Sequence, residues 1–87
     1  MSLEKFYQTQ TGELVYAVIG AKNRIEAFKF VAKYKKMNYS KMLLTHKVIK
    51  GIINENDELF TYDLKDINGV NCWVVARNNI ELNSKKF

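Results

Sequence analysis

The chain reads as α+β: an antiparallel sheet in the order ββαβββ, with one amphipathic helix packed on one face. Three observations predict this. Residues 24–37 repeat apolar side chains at helical spacing. Runs rich in β-branched and aromatic residues stand on both sides of them. The pairs Thr11-Gly12 and Asn68-Gly69 punctuate those runs as hairpin turns.

Residues 5–10 (KFYQTQ) and 13–19 (ELVYAVI) form the first predicted hairpin. Its second strand is apolar on both sides, Leu14, Tyr16 and Val18 on one and Val15, Ala17 and Ile19 on the other, as in a strand covered on both faces. With Thr11-Gly12 as a two-residue turn, Tyr7 faces Tyr16. Gly20 ends the strand. Asn23, three residues before Glu26, is a helix cap in a capping-box-like pattern. At ~100° per residue, Ala27, Phe28, Val31 and Tyr34 share one face of the helix and Lys22, Glu26, Lys29, Lys33 and Lys36 the other. Arg24 and Lys35 fall on the apolar side near the two ends, where long side chains snorkel to water.

Residues 39–44 fit either a short helix capped by Ser40 or a lead into the next strand. Strand follows from about His46 to Ile53, then a turn at Asn54-Glu55-Asn56-Asp57, a strand over 58–65, and a last strand over 70–77. Residues 1–77 form the single expected domain, and the polar segment 78–87 a frayed tail. Pairing Ile53 with Glu58 and Ile67 with Val70 puts Ile49, Gly51, Phe60, Tyr62, Leu64, Trp73 and Val75 on the helix side. Val48, Ile52, Leu59, Val74 and Ala76 then face outward. An apolar patch of that kind marks a partner interface, a homodimer contact or a surface that residues 39–44 or the tail must cover.

Charge is the second informative feature. Residues 22–50 hold nine of the chain's fourteen basic residues and the single acid Glu26, a formal +8. Residues 51–69 hold five acids against Lys65, a formal −4. Such a split sets up a field that attracts polyanions or acidic protein surfaces. The candidate contacts are Lys22, Lys29, Lys33, Lys36, Lys41, Lys47 and Lys50. There are only two arginines, Arg24 and Arg77. Because the bidentate fork that reads guanine is mostly arginine, nucleic-acid contact here is expected to address the backbone rather than the bases.

Several function classes find no support in the residues. One cysteine, Cys72, makes no intramolecular disulfide, and with one histidine, His46, it supplies no zinc ligand set. No cofactor or metal is expected. Cys72 and His46 are the sole nucleophile–base pairing available, and they lie in different strands without an orienting third group. Phosphate-loop, dinucleotide, metalloprotease and esterase motifs are absent, so the expectation is a non-catalytic binding protein. The apolar run 14–21 falls short of the ~20 residues that span a bilayer, and the N-terminal residues lack a signal-peptide h-region. The expected setting is cytoplasmic, without a membrane. A Lys-, Asn- and Ile-rich chain without proline matches AT-rich coding DNA, such as that of low-GC bacteria, their phages and their plasmids, so a mobile-element protein is among the expectations. The leading function is contact with nucleic-acid backbone through the lysine-rich helix face. The alternative is a protein-binding regulator or inhibitor acting through the outward sheet face.

Overall fold

The computed structural model describes residues 2–9, 11–84 and 86–87. The chain runs β1 (Ser2–Gln8), β2 (Leu14–Ile19), α1 (Arg24–Tyr34), α2 (Tyr39–Thr45), β3 (His46–Ile53), β4 (Leu59–Phe60), a 3₁₀ turn at Leu64–Asp66 and β5 (Val70–Arg77). The fold is mixed α+β with five antiparallel strands and two helices, where one helix was expected. The strands lie in the order β1-β2-β5-β3-β4. The sheet curls until the hydroxyl of Tyr7, on β1, donates to the carbonyl of Asp57, in the turn before β4 at the opposite edge, at 3.0 Å.

Both hairpins turn through three residues rather than an even number. The Gly12 amide donates to the carbonyl of Thr9, and the Thr9 amide to the carbonyl of Glu13. The Asp57 amide donates to the carbonyl of Asn54, and the Asn54 amide to the carbonyl of Glu58. The third loop residue is left-handed in each, Gly12 at φ 85° and Asp57 at φ 61°, as three-residue hairpins require. An odd loop moves every partner by one position. Phe6, not Tyr7, therefore opposes Tyr16. Ile53 opposes Leu59. Gln10, expected in the first strand, lies outside the described residues.

The slip turns over the predicted faces of β3. Val48 stands opposite Val75, and Ile52 opposite Asn71, on the helix side. Ile49, Gly51 and Ile53 take the other side with Val74 and Cys72. The expected strand over 58–65 shrinks to two residues, and β5 pairs with β3 and β2 instead of with β4. Asn68-Gly69 is not a hairpin turn. Gly69 is there for closeness: a Cβ on it would meet the backbone carbonyl oxygen and carbon of Ile53 and the side chain of Ile52.

α1 starts as its sequence indicates. Asn23 Oδ1 accepts from the Glu26 amide at 2.8 Å. It ends three residues earlier than predicted, at Tyr34. Lys36 turns left-handed at φ 57°, its amide donates to the carbonyl of Lys33, and the Met37 amide to that of Ala32. These two bonds close a Schellman cap without glycine. The early stop frees Asn38, whose Oδ1 accepts from the Ser40 and Lys41 amides and caps α2. Residues 39–44 are therefore helical, with Asn38 in the capping role expected of Ser40.

Two apolar layers result. On the helix side Ala27, Phe28, Val31, Ala32 and Met42 pack onto Tyr16, Val18 and Val75. Inside the curl Val15, Ala17, Ile53, Leu59, Cys72, Val74 and Ala76 meet Ile80 and Leu82 from the segment after β5. That segment is not frayed. Leu82 is 1% exposed, its carbonyl accepts from the buried Thr61 hydroxyl, and Phe87 exchanges two backbone hydrogen bonds with Leu59, at 3.0 and 2.7 Å. Lys86 bridges β4 at Phe60 and pairs with Glu58 at 2.6 Å. These contacts cover the sheet edge that β4 would otherwise present.

Candidate functional site

Burial of Ala27, Phe28, Val31 and Ala32 orients the rest of α1. Lys29 and Lys33 stand on its outer face, exposed, with exposed Lys22 and Lys36 just beyond its two ends. The Lys29 ammonium lies 5.4 Å from the ring centroid of Tyr39. Phe30 and Tyr34 line a shallow outer groove together with Glu26, Lys29 and Lys33. Two lysines and two rings thus border one groove, Phe30 also packing on the helix-side core.

The other candidate lysines divide. Lys41 is exposed on α2. Lys50 is exposed on the helix side of the sheet, its ammonium 5.8 Å from the Trp73 ring centroid. Lys47 projects to the opposite side, half-buried, and donates to the Asn78 carbonyl at 3.3 Å. Lys47 therefore does not join the other six. Among the described residues the one ion pair is Lys86–Glu58, so the ammonium of none of the seven candidate lysines pairs with a carboxylate there; the Lys22 backbone amide donates to Glu26 Oε1 at 3.4 Å.

The predicted partner surface is not open. Leu59, Val74 and Ala76 are each 0% exposed beneath Ile80 and Leu82. Val48 and Ile52 face the helices' side instead, half-buried and buried. The tail covers this surface, one of the outcomes the sequence allowed. Cys72 and His46 fall on opposite faces of the sheet, Cys72 in the inner core and His46 in line with Val48. Burial pushes the Cys72 thiol up to about 12, the reverse of what a nucleophile needs.

A second aromatic group escaped the sequence reading. Phe6 and Tyr16 meet edge-on at 5.4 Å between centroids, and Tyr34 closes the set at 5.6 Å from Phe6 and 6.4 Å from Tyr16. Phe6 and Tyr34 stay about half exposed. Lys35, at the end of α1, holds its ammonium 5.1 Å from the Tyr16 ring. The signal for this cluster was the odd loop, which exchanges Phe6 for Tyr7 opposite Tyr16. Among the described residues no three His, Cys, Asp or Glu side chains converge as a metal site, and no helix is long and apolar enough to cross a membrane. Comparison of the chain with protein-family models, with curated proteins and with solved structures returned no match.

Proposed function

We propose that the protein is a non-catalytic binding protein that contacts nucleic-acid backbone through α1 and its flanks, with Lys22, Lys29, Lys33 and Lys36 as the principal cations. The observation that supports this reading is their exposure on one side, with no carboxylate paired to their ammonium groups among the described residues. Each phosphate they neutralise releases counterions, so affinity is steep in salt. Phe30 and Tyr34, which share a groove with Lys29 and Lys33, favour a single strand, whose free bases stack on rings. With lysine rather than arginine in the contact, recognition depends little on sequence.

The test is fluorescence anisotropy with labelled oligonucleotides of mixed sequence across a salt series. Four contacts on a single strand give a log–log slope of about −3. Lys29→Glu, Lys33→Glu and Lys36→Glu together should abolish binding while circular dichroism is unchanged. Absence of binding by the wild type at low salt, or full binding by the triple variant, rejects the reading.

A second reading, a protein-binding regulator or a homodimer, is favoured by α2. Leu43 and Leu44 are 52% and 80% exposed, apolar on a helix whose Met42 is the residue that packs inward. Leu44→Glu should then abolish self-association in light scattering or capture of an acidic partner, while oligonucleotide affinity stays as it was.

A further inference from the structure

At the end of the sheet beyond the C-terminus of α1, a cleft of about 210 Å³ is lined by Glu13, Leu14, Tyr16, Lys35, His46 and Arg77. His46 and Arg77 face each other directly across the β3–β5 pairing. Lys35 arrives from the helix end, and its ammonium lies against the ring of Tyr16. His46 is only 6% exposed. Its Nδ1 is held by the Thr45 hydroxyl at 2.7 Å, whereas its buried Nε2 has no hydrogen-bond partner. The buried Glu13 Oε2 has none either. Glu13 borders a second groove as well, with Gln8, Thr9 and Ile80; a buried nitrogen or oxygen without a partner is costly unless something supplies one.

We infer that this cleft is a binding site for a tetrahedral oxyanion that carries a proton, that is, hydrogen phosphate or the monoanion of a phosphate monoester. Arg77 and Lys35 supply two cations against the one carboxylate of Glu13. An anion is therefore attracted, and the arginine fork suits phosphate oxygens. The imidazole Nε2 donates to a third oxygen in the tautomer whose Nδ1 accepts from the Thr45 hydroxyl, which otherwise donates to the carbonyls of Lys41 and Met42 at 3.3 and 3.4 Å. The carboxylate sets the selectivity. It accepts a short hydrogen bond from a P–OH, but repels sulfate, which has no proton to give near neutral pH. At ~30 Å³ per water, the cleft holds one such ion with a few waters. This site is distinct from the outward lysines of α1, none of which lines it.

The test is NMR titration of the ¹⁵N-labelled full chain near pH 7, following the His46 ring nitrogens and the Arg77 amide. Inorganic phosphate should shift them saturably, and sulfate at equal ionic strength should bind at least about tenfold more weakly, a difference of about 1.4 kcal/mol. Arg77→Gln, at an exposed position, should weaken phosphate about tenfold. Glu13→Gln should narrow the gap between phosphate and sulfate. The triple Lys→Glu variant of α1 should retain the phosphate shift, so failure of the nucleic-acid reading and failure of this one are told apart. A nucleoside 5′-monophosphate separates the two sources. It binds more tightly than inorganic phosphate if the exposed rings of Phe6 and Tyr34 take the base, and more weakly if the site serves the free ion. No saturable shift at His46, equal sulfate and phosphate affinity, or an unaffected Arg77→Gln variant would overturn the assignment.

Discussion

Cys72 and His46 show how burial sets side-chain chemistry here, the thiol pushed up and the imidazole pushed down. Burial lowers the His46 pKa from 6.5, and the neighbouring Lys35 and Arg77 cations lower it further. The folded value thus lies below the unfolded one. Between the two, the unfolded chain takes up a proton that the folded chain refuses, so stability rises with pH through that window and is level above it. Urea midpoints should therefore fall as pH drops below about 6.5, and His46→Gln should remove that part of the slope. Glu58 acts in a lower window. Its hydrogen bonds to Lys86 and Asn54 depress its pKa from 4.5, and its contribution is lost as pH falls through the depressed value. None of the His46 cleft was legible beforehand. Positions 13, 35, 46 and 77 are brought together only by the β2–β5–β3 pairing and the turn after α1.

Elements with local causes were readable. α1 has its cap, its period and its lysine face in consecutive residues, and β3 and β5 have their β-branched runs. What failed was loop length. Asn54 to Glu58 spans an odd turn because Asp57 accepts a left-handed backbone, and nothing in the residue types announces that choice over an even one. The segment after β5 failed for another reason. Ile80, Leu82 and Phe87 are spaced among polar residues without a period, and their burial is decided by a sheet surface distant in sequence. That segment is nevertheless structural. Leu82→Ala should cost about 2–5 kcal/mol, measured by chemical denaturation, because it leaves a cavity in the inner core that Leu82 shares with Val74 and Leu59. A cost under about 0.5 kcal/mol would mean the segment only lies over the core.

At the scale of the whole molecule, charge and architecture separate. The helical layer with its flanks carries the +8 stretch, while the β3–β4 turn carries Glu55, Asp57 and Glu58, where Lys86 pairs with Glu58. The charge division was visible at once because it runs along the sequence. The strand order was not, because β5 leaves its expected hairpin and enters between two others. That insertion governs how the molecule comes apart. β1–β2 and β3–β4 share no ladder among the described residues; within the sheet each reaches the other through β5, and one side-chain hydrogen bond, Tyr7 to Asp57, joins their far edges. Withdrawing this one ribbon would leave two isolated hairpins, which are marginal in water, so partial opening there has nowhere stable to stop. In deuterium exchange the amides of Trp73, Val74 and Val75 that bond within the ladders should be the slowest in the chain. Their opening free energies should equal the global unfolding free energy from denaturant, whereas those of α2 fall below it.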